Sequence, residues 1–407
     1  MVARLQTAEG RAALAAADEA LDRGDPLAAA QALRATTVGT GPRDGVDTGP
    51  IDADLAAAAL TQATLRRRAV GKFGADAGRL LYTRTGLEQA TRAVVADRRA
   101  ARLADAGIRT VADLGCGIGA DTLAFARAGL TVRAVEADPV TAAIAAANVA
   151  ACGLARTVSV TCADATAIGL SDVDAVFCDP ARREATGRRV FDPAAFAPPW
   201  SFLTHLPARV PVTVLKLAPG IDHALIPQGA EAEWVSVDGD VVEATIWHGP
   251  LAAVPRRATV ITDTAARSLT GSGTATAPVA GVRRYLYDPD GAVVRAHLVA
   301  EFASTVDGAL ADARIAYVFA DAPVATPFGT VLEVVAHLPY GLKPLRSALR
   351  AHGVGALEIR KRGVAVDPDR LRRELRLSGD RSATLVLTRL GTRPTALLCQ
   401  RLPSGPN

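Results

Sequence analysis

The sequence predicts an α/β protein: a doubly wound, Rossmann-like sheet of seven strands with an antiparallel terminal hairpin. A helical N-terminal region precedes it and small α+β modules follow. Three observations carry this. From Arg109 onward, apolar runs alternate with helical patterns, as a parallel sheet requires. The first run, Val111-Ala112-Asp113-Leu114, breaks into Gly115-Cys116-Gly117-Ile118-Gly119 and continues as a helix. After Val212–Leu217 the alternation stops, and Ala232–Val237 and Val241–Trp247 flank the turn signal Asp238-Gly239-Asp240.

In chain order, helices are predicted over Ala8–Arg23 and Pro26–Ala35, the second capped by Asp25 with proline at its first position. Thr36–Ile51 is rich in Gly, Pro and Asp and reads as a linker. Helices resume over Asp52–Val70 and Leu87–Ala106, the latter with an Arg-rich face opposite Leu87, Ala90, Val94 and Val95. The parallel strands are Thr110–Leu114, Val132–Glu136, Val158–Cys162, Ala175–Cys178 and Val212–Leu217, with a helix over Pro139–Cys152. Beyond Gly249, Ser268–Gly281 is small and polar and reads as a linker or mobile loop, and residues 300–335 as a helix with short strands. The last module reads helix Leu342–His352, strand Ala356–Arg360, helix Pro368–Leu375 and strands Ala383–Leu390 and Pro394–Arg401. The expected domains are therefore 1–106, 107–250, 251–335 and 336–407.

The 407 residues exceed one ordinary core, and a chain 49% hydrophobic and 22% charged is globular. No apolar run approaches the roughly 18 residues of a membrane span, and the N-terminus lacks a signal peptide's apolar centre. The five cysteines form no Cys-x-x-Cys pair and none has a His at zinc spacing, so no metal is expected. They read as small buried hydrophobes of a cytoplasmic protein. The net charge of +4 is unevenly spread: Gly341–Arg401 holds fourteen Lys/Arg against five Asp/Glu, which leaves −5 elsewhere. A basic C-terminal module points to a polyanionic partner.

Glycines at alternate positions let backbone approach a ligand, and the helix start behind them presents free N–H groups. Three downstream carboxylates then matter. Glu136 ends the second strand, where it can accept hydrogen bonds from two ribose hydroxyls. Asp164 follows the third strand, placed for an adenine amino group. Asp179-Pro180-Ala181-Arg182-Arg183 follows the fourth, at the reacting end, and a nicotinamide site has no need of such a turn. Over Thr110–Trp247 the chain resembles the class I S-adenosylmethionine-dependent methyltransferases, with four motifs in order. The resemblance implies S-adenosyl-L-methionine as cofactor. It implies that Asp113, Gly115, Gly117 and Gly119 line the methionine end, that Glu136 holds the ribose, and that Asp164 holds the adenine.

Asp179 can accept a hydrogen bond from an amine, amide or hydroxyl and raise its nucleophilicity, and Pro180 stiffens the turn. Amino-methyltransferases carry Asp/Asn-Pro-Pro and an aromatic here; this chain has Ala181 and Arg182. Arg182 and Arg183 can grip a phosphate or stack on a ring. Lys216 ends the fifth strand and Glu243 begins the reversed last one, so Asp179, Lys216 and Glu243 are expected to converge. That set resembles part of the Lys-Asp-Lys-Glu tetrad of ribose 2′-O-methyltransferases, with Lys72 as the candidate for the missing lysine. The alternative is a structural ion pair of Lys216 and Glu243. The segment at the end of the fifth strand has Lys216 and no Cys, which argues against pyrimidine C5 chemistry. Upstream, Glu88 and Gln89 either reach the site from a lid or face solvent.

Over Lys72-Phe73-Gly74, Gly86–Arg92, Asp179–Arg183 and Leu338–Arg401, the chain resembles methyltransferases with a C-terminal THUMP-like domain; its core is also similar to trimethylguanosine synthases. That family has a ferredoxin-like insert before the final module, which places one at 251–335, and THUMP-related domains bind structured RNA. The resemblance implies RNA as substrate, with Arg360, Lys361, Arg362, Arg370, Arg372, Arg373 and Arg376 as candidate phosphate contacts. The expected activity is methylation of an RNA nucleotide, a base nitrogen first, with Asp179 orienting the acceptor. The alternatives are ribose 2′-O-methylation, a small-molecule or protein substrate, and a catalytically silent RNA-binding protein.

Overall fold

The computed structural model describes residues 1–23, 51–182, 196–262 and 265–402. The chain divides into two compact units, one of Met1–Leu217 with Trp247–Leu251 and one of Ala218–Ile246 with Ala252–Asn407. The expected helix Pro26–Ala35 lies outside the described residues, as does the expected linker apart from Ile51.

The first unit begins with α1 (Val2–Leu5), α2 (Ala8–Asp22) and α3 (Ala53–Phe73). Thr7 caps α2 by accepting from the Gly10 N–H, and Asp52 caps α3 by accepting from Asp54 and Leu55. The two pack through alanine-rich faces, Ala13 and Ala17 against Ala56, Ala59 and Ala63 in one core. The single helix expected over Leu87–Ala106 is two, α4 (Arg84–Gln89) and α5 (Ala93–Asp105), with Ala90 at ψ 138° between them. The break follows from long-range bonds that a helical pattern cannot reveal. Lys72 Nζ gathers the carbonyls of Leu87, Glu88 and Ala90 at 2.8, 2.6 and 3.0 Å, and Thr91 Oγ1 donates to Asp121 at 2.6 Å.

Five parallel strands follow: β1 (Thr110–Leu114), β2 (Thr131–Glu136), β3 (Val158–Cys162), β4 (Ala175–Cys178) and β5 (Val212–Leu217). Their order is β5-β4-β1-β2-β3. The intervening helices are α6 (Ala120–Arg127), α7 (Pro139–Ala151), capped by Asp138 with proline in its first turn, and α8 (Trp200–Arg209). All five carboxyl ends share one edge, and the order reverses beside β1, the place where doubly wound sheets bind their ligands.

In the second unit β6 (Glu231–Val237) and β7 (Asp240–Trp247) turn through Asp238 and Gly239, both at positive φ (53° and 86°). Two strands beyond the expected seven appear: β8 (Arg256–Thr262), parallel to β6, and β9 (Ala265–Gly271), antiparallel to β8. β9 overturns part of the loop expected over Ser268–Gly281. Most of its residues are exposed, so it carries no apolar alternation, yet its backbone pairs along its whole length.

A second sheet uses β10 (Tyr285–Pro289), β11 (Ala309–Leu310), β12 (Val318–Ala320), β13 (Gly329–Leu338), β14 (Val354–Lys361), β15 (Arg381–Leu390) and β16 (Arg393–Arg401). Its order is β11-β12-β10-β13-β16-β15-β14. The boundary expected between residues 335 and 336 falls inside β13, which pairs with β10 on one side and β16 on the other. Helices α9 (Gly291–Arg295) and α10 (Val299–Thr305) follow β10. Helices α11 (Leu342–Ala351) and α12 (Pro368–Leu375) pack on β14 through Leu345, Leu349 and Leu375. All five cysteines are free; Cys116, Cys178 and Cys399 are buried as expected, whereas Cys162 is exposed.

Candidate active site

The glycine turn leaves β1 with Gly115, Gly117 and Gly119 at φ of 78°, 56° and 93°, which L side chains rarely adopt. At Gly115 a Cβ would also stand 2.9 Å from the Asp179 carbonyl oxygen. Glycine there brings the β1 and β4 ends together, and Asp179 N–H donates to Leu114 O at 3.3 Å.

Glu136 faces the same turn. Its carboxylate accepts from Gly117 N–H at 3.0 Å and Asp138 N–H at 2.9 Å, and two of its four acceptor positions remain for other donors. Ala163 N–H donates to Glu136 O at 3.1 Å, which sets Asp164 just past the neighbouring strand end. Asp164 is exposed and caps a short turn through Thr166; the backbone bond, then the hydroxyl, hold its carboxyl below the usual range.

Asp113 lies wholly buried beneath the turn. Its Oδ2 accepts from Thr122 Oγ1, and its Oδ1 has no partner. Burial, followed by the nearby Asp121 carboxylate, pushes its pKa up to about 8. Asp121 is paired with Arg99 and accepts a hydrogen bond from Thr91 Oγ1, with the Arg99 guanidinium 4.6 Å from the Phe177 ring centre. The helical pattern gave no sign of this cluster: Arg99 belongs to an Arg-rich helix, yet it is 2% exposed. The available signal was an acid directly behind the glycine turn, which calls for a cation.

At the reacting end Lys216 Nζ donates to Asp179 Oδ2 at 2.5 Å, from adjacent strands β5 and β4. The lysine side chain is 13% exposed and the aspartate 34%. Pro180 is buried beside them. Glu243 is buried and accepts from Thr245 Oγ1 at 2.8 Å. Burial, then the charges of Lys216 and Arg92, lower the pKa of Lys72, whose bonds to three carbonyls fix α4. The segment before α4 is tied down by two amides. Gln62 bonds both backbone groups of Tyr82, and Asn148 bonds both of Leu81 and the Ile118 carbonyl in the glycine turn.

Glu88 lies 3.7 Å from Arg68, and Gln89 is exposed. The Arg182 side chain and Arg183 lie outside the described residues. Arg360 and Arg362 are turned inward onto Asp288 at 3.1 and 2.8 Å, and Lys361 donates to Val366 O at 2.5 Å. Arg370 pairs with Glu374 and Arg372 with Asp369, while Arg373 and Arg376 are exposed. Among the described residues no group of His, Cys, Asp or Glu gathers to hold a metal, and no helix is long and apolar enough to cross a membrane.

A glycine turn between parallel strands, a carboxylate on the turn, a buried acid beneath it and an Asp–Lys pair at the neighbouring strand ends are set on a methyltransferase fold. Known proteins agree. A family profile described as a methyltransferase domain matches residues 111–189, and one described as THUMP domain-like matches 329–401. The chain is 38% identical over 355 residues to an uncharacterized S-adenosylmethionine-dependent methyltransferase found in two strains of Mycobacterium tuberculosis, covering 83% of this chain and 94% of the relative. The crystal structure of a protein assigned as a methyltransferase from Porphyromonas gingivalis matches the fold at a TM-score of 0.72 and 19% identity, over 97% of this chain and 99% of that one. The chain belongs to the S-adenosylmethionine-dependent methyltransferases, and S-adenosyl-L-methionine is its cofactor.

Proposed function

We propose that this enzyme methylates a base nitrogen of an RNA nucleotide, with Asp179 as the residue that orients the acceptor. The observation that carries the reading is the Asp179–Lys216 pair at the carboxyl ends of β4 and β5, beside the Gly115 turn. S-adenosyl-L-methionine supplies a methyl group on a sulfonium centre, which needs only an aligned nucleophile and exclusion of water. Asp179 accepts a hydrogen bond from the acceptor's N–H and directs its lone pair, while the Lys216 ammonium holds the carboxylate in place. Glu136 offers acceptors for ribose hydroxyls and Asp164 one for an exocyclic amine. The unpartnered Asp113 Oδ1 suits an ammonium group, and the Gly115–Gly119 backbone leaves room for the ligand. The THUMP-like module supports RNA, since domains of that kind bind structured RNA.

Ribose 2′-O-methylation is the second reading, because Lys216 in its neutral form, with Asp179 beside it to pair with the ammonium that results, would take a hydroxyl proton. Against it, the Lys72 ammonium is held by three carbonyls. The deciding experiment compares methylated nucleosides by mass spectrometry in RNA from cells with and without the gene. One base-methylated nucleoside should disappear, return with the wild-type gene, and stay absent with Asp179→Asn, whose cofactor affinity by calorimetry should change only a few fold. Identical nucleoside profiles would end the RNA reading, and loss of a 2′-O-methyl nucleoside would select the second.

A further inference from the structure

We infer that the second unit carries a stacking platform for an unpaired RNA base, built from the rings of Trp234, His223 and His297 and flanked by Arg256 and Arg295. The inference rests on RNA being the substrate and adds where a nucleotide outside the reaction centre is held.

The three rings form one column. Trp234, on β6, is wholly buried, and its Nε1 donates to Pro219 O at 3.0 Å. His223, in the short turn after Asp222, lies on it with centroids 4.9 Å apart and planes 14° apart. His297 lies on His223 at 3.8 Å and 8°. Exposure rises along the column, from the buried indole through the half-buried His223 to the exposed His297. With one face of His297 covered by His223, its exposure falls on the other face and the edges.

The column is anchored at both ends of the chain that builds it. Arg295 Nη1 donates to the same Pro219 carbonyl as the indole, at 3.2 Å, which ties the end of α9 to the loop bearing His223. His297 then sits at φ 59°, in the left-handed region. Arg256 packs against Gly273, where a Cβ would come within 2.6 Å of its side chain, and its charge acts on His223. Burial first, then His297 and Arg256, lower the pKa of His223, which favours the neutral ring that face-to-face stacking needs.

A flat, exposed π surface with guanidinium groups beside it matches the two things any nucleotide presents, a π face and a phosphate. Sequence-tolerant binding of single strands uses that combination. The imidazoles lie face to face, so their nitrogens do not converge on a common point as metal ligands would.

The test measures fluorescence anisotropy of the full chain with two labelled probes of equal length, oligoadenylate and an abasic ribose–phosphate oligomer. The wild type should prefer oligoadenylate. His297→Asn removes the ring and keeps a residue that tolerates left-handed backbone. It should lose about five- to a hundredfold for oligoadenylate, the range of one stacked base, and little for the abasic probe. Arg295→Gln should weaken both probes and lower the salt slope by about one. Circular dichroism checks that each variant folds. Equal binding of both probes by the wild type, or unchanged binding by His297→Asn, overturns the platform and leaves the RNA reading standing. A wild type that binds neither probe overturns both.

Discussion

Replacing Asp113 by Asn tests whether the floor of the site trades stability for recognition. The carboxyl is wholly buried, with one oxygen bonded to Thr122 and the other unpartnered, and its pKa is raised from 3.8 to about 8. A raised carboxyl binds its proton more tightly when folded than when unfolded. Its contribution to stability is therefore full below the unfolded value and is lost as pH climbs through the folded one. Asn has nearly the same shape, keeps an acceptor for Thr122, and does not titrate. The difference in unfolding free energy, wild type minus Asp113→Asn, should fall by about 1.4 kcal/mol per pH unit between pH ~4 and ~8. Across the whole window the fall is at most about 6 kcal/mol. Urea unfolding at a series of pH values measures it. Saturating cofactor should flatten the wild-type slope, because an ammonium group against Oδ1 favours the ionised form, and the variant should bind cofactor more weakly. Parallel stability–pH curves for the two proteins would refute the buried-acid argument.

Asp164→Ala should cost about 1 kcal/mol of stability, the worth of a cap, while weakening cofactor binding by a larger factor in calorimetry; an unchanged affinity would remove it from the adenine site. Lys72→Met strips the carbonyls of Leu87, Glu88 and Ala90 of their donor, so amides of residues 84–92 should exchange roughly ten- to a hundredfold faster. Equal exchange would mean that the ammonium does not fix α4.

The parts of the site legible in the sequence are those forced by backbone. Positive φ at Gly115, Gly117 and Gly119 excludes other residues, so the turn announces itself. Glu136, Asp164, Asp179 and Lys216 are legible because parallel strands deliver their ends to one edge, and a period-two pattern locates each end. What escaped is whatever depends on pairing across long sequence separations. Nothing local marks Arg99 out from Arg98 or Arg102 as the partner of an acid behind the turn, yet it is buried against Asp121. The break at Ala90 is equally silent, because the lysine that holds it lies on another helix.

Charge counting failed in the same way, and its failure moves the phosphate-binding question. The surplus in Gly341–Arg401 counts Arg360 and Arg362 as open, but the acid that meets both, Asp288, lies more than fifty residues outside that window. The pair is 17% and 27% exposed, and pulling either arginine away to meet a phosphate would strand part of a half-buried carboxylate. Arg370, Arg372 and Arg401 are each shared with a nearby acid as well. Exposed side chains with no ion pair among the described residues, Lys343, Arg381 and Arg393 with them, can meet phosphate without such a cost. Net charge estimates how strongly a module attracts a polyanion from a distance. Which residues touch it is decided by which cations the fold has left without a carboxylate.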